Sequence, residues 1–439
     1  MRSFSLSESK HAAFITLEGS NHVRRAFQAR ALNARRCQAA PACRGGAGGE
    51  GMEMIERRRR MLGVLGLVGL GAIGLGCGRS REAAKEWRVG AYLSLSGPET
   101  QYGIDTKEGM ELAVAQVNGT GGVKGKPLKI LYEDDKSSPQ EASNKVLQLI
   151  DRDKVVAVLG EIASSRSKVG GIVANRRRVP MITPFATNPD VTRIGPFVFR
   201  VCFTDDAQGR AAAHFVADTL KKKRVAILFA ADDLYSSGLA AELRDEARRI
   251  GLEIVAEKQF LKGETNFTTY ISELAAASPD IIYAPLYYNS MIPIARQAAA
   301  AGVRGDIFLG GDGWDAEALL KDAGVELNGA YFTNHFAPDV PSSSSQAFVN
   351  AYRERYKHAP SSLAALGYDA TLVLADAIGR AKGDTPQAIR DAIAETKGFQ
   401  GATGATTINA ERNADKAIVI VQIKDRKLTY HSTIAAKKP

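Results

Sequence analysis

Ser165-Arg-Ser-Lys168 carries the S-x-x-K spacing of acylating serine enzymes, in which an amine lies three residues beyond the nucleophile. The companion strings S-D-N and K-T-G are absent, so the spacing reads as chance. Asn118-Gly-Thr-Gly-Gly-Val-Lys-Gly-Lys126 has the glycines and lysines of a phosphate loop but not the G-x-x-x-x-G-K-[ST] order, and it follows a predicted helix. It reads as a turn. No G-x-G-x-x-G follows the first predicted strand, and there is no G-x-S-x-G elbow. His214, His335, His358 and His431 are far apart, with no H-x-x-x-H pair or carboxylate cluster, so neither a metal nor a cofactor is expected. With no nucleophile–base pair, an enzyme is not expected either. What remains is chemistry that holds rather than transforms. The hydroxyls of Ser164 and Thr187, the phenols of Tyr235 and Tyr287, and the Asp312 carboxylate each stand just beyond a predicted strand. In open α/β sheets ligands bind beyond the carboxyl ends of the strands.

The elements that place these groups alternate regularly. Residues 88–95 read as a strand, followed by a helix with Met110, Ala113, Val114 and Val117 on one face. Residues 129–132 form the next strand. A helix opened by Ser138-Pro139 follows, with Ala142, Val146, Leu149 and Ile150 inward. The all-apolar run 155–159 suits a parallel strand buried on both faces. A helix through Val169, Ile172 and Val173 leads to a fourth strand at 181–183. The alternation restarts with strands at 225–229, 254–255, 281–283, 307–309 and 330–332, and the chain closes on 418–421 and 427–430. The expected fold class is α/β, with two doubly wound parallel-sheet lobes. Soft stretches near Thr204–Asp206, His335–Ser345 and Ala410–Asp415 are the candidate crossings between them.

The chain has 439 residues, 45% of them hydrophobic and 24% charged, which excludes a disordered chain and a polytopic membrane protein. Its net charge of +10 is concentrated in residues 1–76, which hold 12 basic and 5 acidic side chains. The remainder is nearly balanced, so no nucleic-acid partner is expected. The basic runs Arg176–Arg178 and Lys221–Arg224 fall at predicted helix C-termini, where they complement the dipole. Residues 52–76 read as an export signal: Arg57–Arg60, then a short glycine-rich apolar stretch ending just before Cys77. Cys77 looks like a bacterial lipoprotein cleavage site and would tether the protein to the membrane, although Gly74 stands where such sites usually have leucine. Translation is expected to begin at Met52 or Met54, with residues 1–51 not part of the native protein, and residues 77–86 would be a tether. Beyond Cys77 only Cys202 remains, a small buried hydrophobe with no disulfide partner.

Several strings then carry a resemblance. Leu95-Ser-Gly-Pro98, Tyr102-Gly103, Gly109-Met-Glu-Leu-Ala113, Gly121-Gly-Val-Lys-Gly125, Asp134-Asp135 and Gly160 before Ser164-Ser165 come in order. Pro184-Phe-Ala-Thr-Asn-Pro189, Asp232-Asp-Leu-Tyr235, Tyr287-Tyr288, Gly310-Gly-Asp-Gly313 and Gly367-Tyr-Asp369 follow. Together they resemble the leucine/isoleucine/valine-binding protein family, the type I periplasmic substrate-binding proteins of ABC importers, from Trp87 to the C-terminus.

The resemblance implies a three-segment hinge between lobe 1 (87–205 plus 336–415) and lobe 2 (206–335 plus 416–439), with ligand trapped between them. It implies a monomer in the periplasm or cell envelope that captures a small amino acid, branched-chain or similar, and hands it to an ABC-transporter permease. Ser164 and Thr187 would bind the ligand carboxylate, helped by the helix opening at Ser165. Asp312 would take the ammonium, with the carbonyl near Ala186 assisting, and Tyr102, Tyr235 and Tyr287 would line the cleft. As a cleft residue, Asp312 would support little core packing. Three departures stand out. Phe185 replaces a usual alanine or glycine and crowds the pocket floor, Asp312 is a methylene shorter than the usual glutamate, and Ser236-Ser237 replace a glycine. A ligand sensor for a membrane receptor, and a binder of an amide, urea or aromatic acid, remain as alternatives.

Overall fold

The computed structural model describes residues 85–435; the expected export signal at 52–76, Cys77 and residues 1–51 lie outside the described residues. Five short strands form the first sheet: β1 (Trp87–Leu93), β2 (Leu128–Asp134), β3 (Ala157–Leu159), β4 (Met181–Thr183) and β5 (Val198–Arg200). Their order is β2-β1-β3-β4-β5, and every pair is parallel. β3, β4 and β5 are wholly buried, as strands covered by helices on both faces must be. The covering helices are α1 (Thr100–Gly119), α2 (Pro139–Asp151) and α3 (Ser164–Arg177), with the single turn α4 (Asp190–Arg193) ahead of β5. α2 starts where expected because the Ser138 hydroxyl accepts from the Glu141 N–H and Pro139 fills the first helical position. α3 ends at Arg178, in the left-handed region with φ 55°, after Arg176 and Arg177 in its last turn. That is the dipole-complementing role expected of this basic run.

The second sheet has seven strands: β6 (Arg224–Ala230), β7 (Glu253–Phe260), β8 (Ile281–Ala284), β9 (Phe308–Gly310), β10 (Tyr331–Asn334), β13 (Ile418–Lys424) and β14 (Lys427–Ile434). The order is β14-β13-β10-β9-β8-β6-β7, parallel from β7 through β10 and antiparallel in the last two pairs. α5 (Asp205–His214) leads into it, and α6 (Leu234–Ile250), α7 (Thr268–Ala276), α8 (Tyr288–Ala300) and α9 (Glu317–Ala323) connect its strands. The fold class is therefore α/β with two doubly wound sheets, as expected from the alternation.

Three more helices, α10 (Ser343–Tyr356), α11 (Ser362–Arg380) and α12 (Pro386–Ala394), follow β10, with the small hairpin of β11 (Phe399–Gly401) and β12 (Gly404–Thr406). They return to the first sheet. α11 lies along α1 so closely that a Cβ on Gly109 would sit 1.9 Å from the Ala364 carbonyl oxygen, and one on Gly367 would sit 2.5 Å from that of Thr106. This contact explains glycine in two of the strings that carry the resemblance. Among the described residues α11 is the one helix long and apolar enough to cross a membrane, and it is mostly buried in the core instead. The chain passes between the sheets after β5, after β10 and before β13.

Candidate functional site

The strand ends bring the candidate residues of both sheets together. On the first sheet, the loop after β3 enters α3 at Ser164, and the loop after β4 carries Phe185, Ala186 and Thr187. Arg200, at the end of β5, holds that second loop. Its buried guanidinium donates to the carbonyls of Ala186 (2.7 Å) and Asn188 (2.8 Å) and to Asn413 Oδ1 (2.7 Å). Asn188 then ties the site together: its N–H donates to Ser164 Oγ at 3.3 Å and its Nδ2 to the Leu234 carbonyl, at the start of α6, at 3.0 Å. Ser164 and Thr187 are both buried, whereas Ser165 is half-buried on the first turn of α3.

From the second sheet come Tyr235 on α6, Tyr287 just before α8, and Asp312 after β9. The rings of Tyr235 and Tyr287 stack 4.9 Å apart, 10° from parallel. Tyr102, on α1, crosses to meet them. Its ring stands edge-on to Tyr287 at 5.9 Å and to Tyr288 at 4.9 Å, and its hydroxyl donates to the Gly313 carbonyl while accepting from the Tyr288 N–H. Phe185 fills the remaining side, 6.4 Å from the Tyr102 ring and 4.9 Å from the His335 ring. Burial pushes the hydroxyl pKa values of Tyr102, Tyr235 and Tyr287 well above the ordinary tyrosine value, so all three serve as neutral donors and acceptors.

Two details differ from expectation. The Ala186 carbonyl already accepts from Arg200 and from the Cys202 thiol (3.4 Å), which occupies both of its lone-pair directions. The Asp312 carboxylate is fully buried and held by three protein donors. Oδ1 accepts from Tyr235 Oη (2.8 Å) and Gln208 Nε2 (3.0 Å), and Oδ2 lies 3.0 Å from His335 Nε2. Gln208 also accepts from the Asp312 N–H and from Thr333, so Asp312 is the centre of a polar core as well as a strand-end acid. It supports more packing than a free cleft residue would.

Sequence reading missed His335, Gln208, Arg200 and Asp205. Burial outweighs the Asp312 contact and lowers the His335 pKa, so the ring is neutral, donates through Nε2 and leaves Nδ1 buried without a partner. Its ring stacks on Phe203 at 3.6 Å. A histidine 23 residues from its partner leaves no local pattern to find. Cys202 is fully buried, as expected, and its thiol is pushed up to about 12 by burial. Among the described residues no cluster of histidine, cysteine and carboxylate side chains could hold a metal.

Comparisons with known proteins bear on the fold and the family. The chain is 33% identical over 254 residues to the Leu/Ile/Val-binding protein of Citrobacter freundii, covering 57% of this chain and 68% of that one. A leucine binding protein from Thermotoga maritima superposes with a TM-score of 0.75 at 33% identity, over 79% of this chain and 98% of that one. A branched-chain amino acid transporter substrate binding protein from Streptococcus pneumoniae, solved with isoleucine, gives 0.75 at 31% identity, over 81% and 100%. The family profile of periplasmic binding proteins matches residues 86–427, nearly everything described above, and the chain belongs to that family.

Proposed function

We propose that this protein is the extracytoplasmic solute-binding component of an ABC importer and captures a small amino acid, branched-chain or similar, between its two lobes. The observation that carries this reading is the convergence of Ser164, Thr187 and Tyr102 from one sheet with Tyr235, Tyr287 and Asp312 from the other. In this reading the lobes are 87–205 plus 336–415 and 206–335 plus 416–439. The ligand carboxylate meets Ser164, Thr187 and the first turn of α3, where free N–H groups and the helix dipole favour an anion. The tyrosines and Phe185 surround the side chain, and Asp312 supplies negative potential for the ammonium. The kinship with proteins named for leucine, isoleucine and valine supports this ligand class. Cys77 would carry the lipid anchor that keeps the monomer beside its permease.

A thermal-shift screen of α-amino acids, amides, urea and aromatic acids tests the proposal. A ligand present at 100 times its dissociation constant stabilises the native state by about 2.7 kcal/mol. The expected result is a rise in melting temperature with one or more aliphatic amino acids. A rise with amides or aromatic acids alone would overturn the amino-acid reading and leave the binding-protein reading standing.

A further inference from the structure

Asp205 opens α5 immediately after the first passage between the sheets, and its side chain is fully buried. Its N–H donates to the Thr187 carbonyl at 3.0 Å, which fixes it beside the loop that carries Thr187. Opposite lies α6, the helix of Tyr235: the Cβ position of Gly238 is 3.6 Å from Asp205 Oδ2, an ordinary contact distance, so the carboxyl faces that helix. Neither Asp205 oxygen makes a well-formed hydrogen bond among the described residues, and the same holds for Thr187 Oγ1, Tyr283 Oη and His335 Nδ1. Buried polar atoms are nearly always satisfied, so several orphans within electrostatic reach of Asp312 point to a polar partner. An acid in a first helical turn also suits the helix dipole, but that role needs no burial.

Resting on the amino-acid reading above, we propose that Asp205, rather than Asp312, directly accepts the ligand's ammonium group, with Thr187 Oγ1 beside it. Asp312 is already engaged by Gln208, Tyr235 and His335, and the Ala186 carbonyl by Arg200 and Cys202. Asp205 has no protein donor to its carboxyl among the described residues other than the approach of the Thr187 hydroxyl. An ammonium has three donors and no acceptor, which complements two carboxylate oxygens and a hydroxyl. The surrounding charges agree. Burial pushes the Asp205 pKa well up and the Asp312 and Glu242 carboxylates push it further, while the Thr187 hydroxyl and Arg200 oppose them. Cys202, Tyr235 and Tyr283, the other titratable groups facing it, are themselves held neutral by burial. A buried cation would turn this costly ionisation into a favourable pairing. Asp312 then acts as a positioning residue that fixes the Tyr235 hydroxyl and the His335 ring.

The test is calorimetric binding of L-leucine, and of 4-methylpentanoate, which lacks only the ammonium, to the full chain and to its Asp205→Asn and Asp312→Asn variants. Wild type should prefer leucine by at least about 30-fold, the scale expected for one buried charge pair. Asp205→Asn should collapse that preference to within a few-fold, and Asp312→Asn should keep most of it. The analogue corrects for folding damage, because a purely structural loss would weaken both probes together. Equal loss of both probes in Asp205→Asn, or a collapsed preference in Asp312→Asn alone, would overturn the assignment while sparing the amino-acid reading. Failure of wild type to bind leucine or any other α-amino acid would overturn both.

Discussion

At the scale of single residues, Asp312 illustrates how one side chain can be legible in type but not in role. Its place after a predicted strand marks it as a candidate for the cleft, but nothing local announces the three donors that converge on it. Gln208 lies 104 residues away and Tyr235 lies 77 away, so only the folded chain joins them. The consequence is measurable. Asp312→Ala leaves a buried glutamine amide, a tyrosine hydroxyl and an imidazole N–H without their acceptor, at about 1–3 kcal/mol for each group left unsatisfied. The unliganded variant should therefore melt several degrees below wild type, whereas Asp312→Asn, which keeps an oxygen for these donors, should lose less. Equal melting temperatures for wild type and Asp312→Ala would show that the network contributes no net stability. The Phe185 ring packs beside Tyr102 and His335, where its size can act on whatever the pocket takes.

At the scale of elements, the sequence revealed most of the sheet and helix order because buried parallel strands are continuous apolar runs and their helices keep a 3.6-residue apolar stripe. It did not reveal β5, the helix α5 or the hairpin of β11 and β12. The β5 segment mixes Arg200 into an apolar run, and α5 is rich in alanine and polar residues, with no apolar stripe to mark it. Arg200 breaks the hydrophobic pattern because it serves the loop above β5 rather than the core, and Asp205 and Gln208 lie in the helix that the periodicity failed to mark. The residues that read worst are the buried polar ones around the candidate site: Arg200, Asp205 and Gln208.

A pH effect belongs to this scale too. Asp105 on α1 accepts from Ser361 Oγ (2.7 Å), the cap of α11, and from Gln101 Nε2 (2.6 Å), and burial raises its carboxyl to about 7. The unfolded chain ionises this carboxyl near pH 4, so between about pH 4 and 7 the native state binds more protons and stability falls as pH rises. Asp105→Asn should flatten that slope, which approaches about 1.4 kcal/mol per pH unit at its steepest. Denaturant melts of wild type and variant at pH 5 and pH 7.5 check it. An identical pH dependence in both proteins would show that Asp105 is not the group responsible.

At the scale of the whole molecule, contacts from both sheets meet across the cleft. Tyr102 reaches Gly313, Tyr288 Oη donates to the Pro98 carbonyl at 3.1 Å, Asn188 reaches Leu234, and the Ser362 N–H at the start of α11 donates to Asp315 Oδ2 at 2.8 Å. Few of these bonds are strong enough to hold two bodies shut alone, since each contributes only about 0.5–1.5 kcal/mol net. In the binding mode proposed above, a ligand bonded from both sides adds the difference, because it would satisfy Ser164, Thr187 and the second lobe together only when the cleft is closed. Hinge closure around ligand is general for periplasmic binding proteins. Small-angle scattering across a titration with the amino acid found in the thermal-shift screen tests this most directly. The account predicts a radius of gyration that falls and saturates at one ligand per chain. A radius unchanged at saturation would contradict it.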